Sequence, residues 1–223
     1  MARTTYYGIC SLCEARVSKA AMGRHLETCA PSHDHPKGKA GSLFRLRVEG
    51  ADAPVFWLDL EISAQAKLTD LDRFLRDIWL ECCGHLSAFR IGRFSYSYPI
   101  EGPFGGWSDE RSMNVRLREA LGGVGTRFVH EYDFGTTTEL SLRVTAQREG
   151  AIGKPPLRLL ARNEAPVWPC SVCKKPATRI CSYCVYEANP FFCDNHAEKH
   201  DCGEEAFLPV VNSPRMGMCG YEG

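Results

Sequence analysis

Between Pro169 and Cys202 the chain places Cys170-x2-Cys173, seven residues, Cys181-x2-Cys184, eight residues, and then Cys193-x2-His196-x3-His200-x-Cys202. Thiolates and imidazoles in closely spaced pairs are the ligand pattern of zinc, which takes sulfur and nitrogen donors in tetrahedral fours. Eight ligands make two such sites. Near the other end, Cys10-x2-Cys13-x11-His25-x3-Cys29 supplies a third set. His25 and Cys29 are four residues apart, so on a helix they share a face and can close the site that Cys10 and Cys13 open. The expectation is three zinc ions, each held entirely by protein. That is the arrangement of a structural ion, because a catalytic zinc keeps one position open for water or substrate.

The elements that must position these ligands follow from the surrounding residues. In the segment 1–32, Ser18 is placed to cap a helix running from Ala20 to Cys29, and Met22 and Leu26 would form most of a miniature core beside the ligands. The order of knuckle, short linker and helix resembles a zinc finger of the ββα type in a Cys-Cys-His-Cys variant. Residues 33–41, HDHPKGKAG, read as a linker, in which His33 and His35 are expected to be solvated.

The middle of the chain, 42–164, carries no ligand pattern. SLFRLRVEG and PVFWLDLEI alternate around a turn and predict an antiparallel pair of strands. LTDLDRFLRDIWLECC predicts a helix, with Thr69-x-x-Asp72 as a capping box and Gly84 as its stop. AFRIG and RFSYSY predict two more strands, and MNVRLREAL a short helix beyond the Gly-rich loop 102–106. TRFVHEYDF and TELSLRVTAQ predict a hairpin with Gly135 in its turn, and LRLLARN an edge strand. Strands without βαβ alternation argue an α+β fold with a largely antiparallel sheet and two helices, flanked by two small zinc-finger modules.

GHLSAFRIG and FVHEYDFG resemble segments of the plasmid pRiA open-reading-frame-three-like family, with the resemblance spanning residues 43–150. It implies the same fold and brings no reaction, although members of that family travel with mobile elements. Where many members continue with Asp-Gly-Trp, this chain has Thr136-Thr137-Thr138 after Gly135. The ligand run of 165–223 resembles the cross-braced fingers of the B-box and MYND kind. That resemblance implies alternating pairs: Cys170, Cys173, Cys193 and His196 at one ion, and Cys181, Cys184, His200 and Cys202 at the other. Cys219 in the apolar tail competes with Cys202 for the last position.

Composition bounds the rest. With 27 basic and 27 acidic residues in 223, no global field draws the chain to nucleic acid or membrane. Residues 1–41 carry six basic and three acidic groups, and residues 166–223 five and seven. No apolar run is long enough to span a bilayer, and MARTTYYGIC has no signal-peptide core. Cysteines in ligand spacing fit a reducing compartment, hence a cytoplasmic protein. Cys82 and Cys83 lack CxxC geometry and are expected as buried free thiols.

Together these features predict a zinc-binding, non-enzymatic adaptor whose target is a protein. A second reading makes it a nucleic-acid-associated accessory protein using residues 1–32, with Arg16, Lys19 and Arg24 as contacts. A third makes it an enzyme using His85 with Asp133, or a pocket near Trp107. The plainer expectation is that Asp133, beside Tyr132, holds a turn and His85 satisfies a helix end.

Overall fold

The computed structural model describes residues 5–98, 109–186 and 189–223. The Gly-rich loop and Trp107 lie outside them. The chain divides into two compact units: Met1–Phe74 with Leu86–Glu164, and Leu75–His85 with Ala165–Gly223.

The larger unit is built on one ten-stranded sheet. In chain order its strands are β1 (Tyr7–Cys10), β2 (Arg16–Ser18), β3 (Gly41–Gly50), β4 (Trp57–Ser63), β5 (Ser87–Ile91), β6 (Phe94–Ser97), β7 (Glu110–Ser112), β8 (Arg127–Tyr132), β9 (Thr138–Gly150) and β10 (Leu157–Asn163). They lie side by side as β2-β1-β10-β4-β3-β9-β8-β5-β6-β7. All neighbours are antiparallel except β6 and β7. With a few helices beside this sheet, the fold class is α+β. The β3–β4 and β8–β9 hairpins follow the alternation of their sequences, with Leu46 opposite Leu60 and Phe128 opposite Leu142.

The strand β10, expected at an edge, is interior. Its open side pairs with β1, so Ile9 lies opposite Arg162 and Cys10 opposite Ala161. Residues 7–18 therefore add two strands to the sheet built by residues 41–163. Gly8 permits the approach: a Cβ there would come 2.5 Å from the Arg162 carbonyl and 2.6 Å from the Trp57 ring.

Along β4, successive side chains alternate between the two faces of the sheet. Leu58, Leu60 and Ile62 point to one face and are fully buried. Helix α2 (Leu68–Leu75) adds Leu68 and Leu71 to the buried core. Trp57, Asp59 and Glu61 point to the other face. There Trp57 packs with Met22, Leu26 and Ala30 of helix α1 (Lys19–Ser32), along with Leu160 and Ala161. Asp59 accepts two bonds from Arg47, at 2.9 and 2.8 Å.

Glu61 and Asp34 share a pair of arginines. Arg148 donates to both Glu61 oxygens, at 2.6 and 2.9 Å, and to both Asp34 oxygens, at 2.9 and 2.6 Å. Arg158 donates to Glu61 at 2.8 Å and also to the carbonyls of Ala30 and His33, at 2.9 and 2.6 Å. The end of α1 is thus satisfied by a cation, which suits the negative end of a helix. The residues expected to form a linker are clamped to the sheet at Asp34.

The capping-box expectation is corrected. The Lys67 amide donates to Asp70, at 2.8 Å. Asp72 instead turns inward, where one of its oxygens accepts from the Ser87 hydroxyl and lies 2.7 Å from His130 Nε2. All three side chains are buried. The helix also ends earlier than its periodicity suggests. After α2 the backbone widens to a π-helical turn over Arg76–Leu80, where the Glu81 amide donates to the Arg76 carbonyl, and Cys82 and Cys83 fall outside it. The second short helix shrinks to α3 (Leu117–Ala120).

The smaller unit carries a three-stranded sheet, β12-β11-β13, from β11 (Arg179–Cys181), β12 (Phe191–Phe192) and β13 (Phe207–Pro209), with one short helix, α4 (Asp194–Ala197). Its buried cluster around these strands is small: Cys181, Phe192 and Ala206. No helix among the described residues is long and apolar enough to cross a membrane.

Candidate metal centres

Three quartets gather the residues the spacing singled out. Cys10, Cys13, His25 and Cys29 form one; Cys170, Cys173, Cys193 and His196 a second; Cys181, Cys184, His200 and Cys202 a third. In each, the four donor atoms lie within 4.8 Å of one another.

The distances test whether a metal fits. Zinc–sulfur bonds of about 2.3 Å at tetrahedral angles hold two sulfurs about 3.8 Å apart. Cys10 and Cys29, Cys173 and Cys193, and Cys184 and Cys202 all stand at 3.8 Å. A disulfide would need about 2.05 Å. Sulfur–nitrogen edges are shorter, as the shorter zinc–nitrogen bond requires: 3.4 Å for Cys13 and His25, and 3.5 Å both for Cys170 and His196 and for Cys184 and His200. These quartets can hold a metal ion.

Two of the knuckles share one backbone device. The Cys10 amide donates to the Ala15 carbonyl, and the Glu14 amide donates back to Cys10. Cys170 repeats this with Lys175 and Lys174. The residue that returns the bond sits in the left-handed region in both, with φ of 60° at Glu14 and 63° at Lys174. The tight turn aims both thiols of each pair to the same side. Helix α1, capped by Ser18 through the Ala21 amide, brings His25 and Cys29 to the first pair. In the smaller unit, Cys181 ends β11, and α4 carries His196. The pairs alternate between the two quartets. The His200 ring is fixed between Phe192 and Phe207, with centroids 4.4 and 5.5 Å away.

The thiols are electrostatically unequal. Burial, then the neighbouring thiols Cys13 and Cys10, push Cys29 up to about 12. Cys184 is likewise pushed up to about 12, by burial and then by Cys181 and Cys202. Burial also raises Cys170, but backbone N–H donors of Cys173, Cys193 and Val172 outweigh it and bring the thiol down to about 6. The three thiols of a quartet could all ionise only with a cation among them.

A fourth grouping was not legible in the spacing: Cys82, Cys83, His85 and Cys219. It corrects three expectations. Cys83 is exposed and Cys82 half-buried, so they are not buried free thiols. The His85 ring lies 3.0 Å from Cys83 Sγ and 3.2 Å from Cys219 Sγ, while its carbonyl accepts from Arg76. Cys219 belongs to this grouping, and Cys202 stands with Cys184. All twelve cysteines of the chain thus fall into four groups, each with three cysteines and one histidine.

Most of the other candidates are engaged elsewhere. Asp133, at φ 65°, accepts from the Gly135 and Thr136 amides and holds the β8–β9 turn, while Tyr132 is buried in β8. Arg16 pairs with Glu164 and stacks over Tyr7. Lys19 binds Glu49 and the Pro54 carbonyl. Arg24 is exposed on α1. His33 Nδ1 is 2.8 Å from the Cys29 carbonyl, and the His35 ring nitrogen accepts from the Lys37 amide.

No family model matches this chain, and no curated protein does. Among solved structures, the chain is similar to a protein of unknown function, MM3350, from Methanosarcina mazei Go1. The likeness has 11% identity, covers 54% of this chain and 67% of that one, and has a TM-score of 0.41. A likeness at that level carries no argument about function.

Proposed function

We propose that this chain is a zinc-stabilised, non-enzymatic recognition protein whose target is another protein. The observation that carries the reading is the completeness of the expected quartets. Each offers three thiolates and an imidazole to one ion and leaves no position for water. The second quartet shows what is at stake. His196-x-Glu198 beside Pro169-Cys170-x2-Cys173 has the residue types of a zinc deaminase, but Cys193 fills the place a reactive water would take. The proposed ions number three at these sites, and their work is to fold the segments that bind them. A reducing, cytoplasmic setting suits so many ligand thiols.

A protein target is favoured over nucleic acid by charge. Of the three candidate nucleic-acid contacts Arg16, Lys19 and Arg24, two are spent on the carboxylates of Glu164 and Glu49, and each loaded site of three thiolates with a divalent ion would carry a net charge of about −1. The smaller unit also exposes Tyr183, Tyr186, Val167 and Val172, which are 64%, 74%, 76% and 61% accessible. Aromatic and apolar side chains displayed in this way suit a protein contact. The pRiA-like resemblance of the middle domain belongs to the same proposal, as a rigid body without a reaction of its own.

The test is a pair of binding measurements on the full chain. Cross-linking in cell extract should recover a protein partner that Tyr183→Ala/Tyr186→Ala loses, while DNA and RNA bind negligibly at physiological salt. Nucleic-acid binding that weakens steeply with salt, unaffected by the tyrosine changes, would overturn the reading in favour of the accessory-protein alternative.

A further inference from the structure

Cys82, Cys83, His85 and Cys219 are the donors that remain when the three expected quartets are complete. We propose that they bind a fourth zinc ion, which ties the 75–85 segment to the carboxy-terminal tail within the smaller unit. The edges match those of the other quartets: Cys82 and Cys83 sulfurs are 3.8 Å apart, and Cys83 and Cys219 are 3.7 Å apart. A disulfide between Cys83 and Cys219 would bring the sulfurs to about 2.05 Å, far closer than they stand. Three thiolates with one imidazole in a tetrahedron select zinc among the common divalent ions.

The surroundings are built for the site. The π-helical turn over Arg76–Leu80 ends the helix early and releases Cys82 and Cys83 into a tight turn. Such turns frequently interrupt helices at functional sites. Gly84 takes φ of 81°, and its amide donates to Glu81 Oε1 at 2.6 Å. Arg76 donates to Glu81 Oε2 at 2.8 Å and to the His85 carbonyl at 2.7 Å, fixing both ends of the ligand turn.

From the tail side, Cys219 is held at φ of 47°, an uncommon conformation for a side-chain-bearing residue. The tail is anchored by Ser213, which donates to the Trp79 carbonyl at 2.7 Å, and by the Asn212 carbonyl, which accepts from the Trp79 ring at 3.1 Å. Arg215 is fully buried, and its guanidinium lies 3.7 Å from the Cys82 sulfur. A buried cation there compensates the net negative charge of a loaded site.

This ion should be the first to leave. Each of the other quartets contains a cysteine at 0% exposure (Cys10, Cys170 or Cys181), whereas here two of the four donors are exposed. Three donors come from a single turn, and only Cys219 closes the site.

Native mass spectrometry of the full chain, prepared with zinc under reducing conditions, tests the proposal. The wild type should carry four zinc ions and Cys219→Ser three. Cys83→Ser, a change on the other side of the site, should also carry three. Hydrogen exchange should rise at residues 212–223 in Cys219→Ser while the strands of the three-stranded sheet stay protected. Three ions in the wild type and in both variants would overturn the fourth site alone, as would an intact mass showing a disulfide. A wild type without zinc would overturn the metal reading of every quartet.

Discussion

At the scale of single residues, legibility depended on how far apart in sequence the partners lie. The ligands of the three expected quartets announce themselves by spacing, because a knuckle turn and one helical turn are local structures. Cys82, Cys83 and His85 have no such spacing, and Cys219 is 134 residues from His85. Only the tertiary fold joins them. Asp34 shows the same limit in a structural role, since its partner Arg148 is 114 residues away. The Arg148 guanidinium beside Asp34 holds its carboxyl below the usual carboxylate range.

A carboxyl depressed in the folded state stabilises the fold above its unfolded pKa of about 3.9 and loses that contribution as pH falls through the lower folded value. Urea unfolding of the wild type and Asp34→Asn, compared from neutral to strongly acid pH, should show a wild-type advantage at neutral pH. The gap should close in acid, below the ordinary carboxylate range. A gap that stays constant with pH would contradict this role.

At the scale of elements, hairpins were read well because their strands adjoin in sequence and their alternation fixes the register. The place of β10 was not readable, since its second neighbour, β1, comes from the amino-terminal segment. The π-helical turn was not readable either: the apolar spacing of Leu71, Leu75, Ile78 and Trp79 fits an ordinary helix. Gly8 makes the join between finger and sheet testable. Gly8→Ala would press a methyl group on the Arg162 carbonyl and the Trp57 ring, which is fully buried. Overpacking of this kind should cost about 1–3 kcal/mol. It should also loosen the β1–β10 ladder, read as faster amide exchange in Tyr7–Cys10 than in β3 and β4. Unchanged stability and exchange would show that the finger does not depend on this contact.

At the scale of the molecule, the two units differ in what holds them. The larger has an extensive apolar core around β3, β4, β9 and α2, with one candidate metal quartet beside its first two strands. The smaller holds the other candidate quartets, and the buried cluster at its three-stranded sheet, Cys181, Phe192 and Ala206, is by itself too small to offset the entropy of ordering the loops around it. Metal binding must then be folding free energy for that unit. Chelation of the full chain should therefore open residues 165–223 to proteolysis while strands β3, β4, β8 and β9 of the larger sheet stay protected from amide exchange. Simultaneous collapse of both units, or protection of both, would contradict this division.

The central claim is that the expected quartets are closed, structural zinc sites. X-ray absorption at the zinc edge of the purified chain tests it most directly. The average shell should hold three sulfurs at about 2.3 Å and one nitrogen at about 2.0–2.1 Å, unchanged when small-molecule ligands are added. An oxygen donor in that shell would mean an open position and restore a catalytic reading. Iron in place of zinc would contradict the account outright.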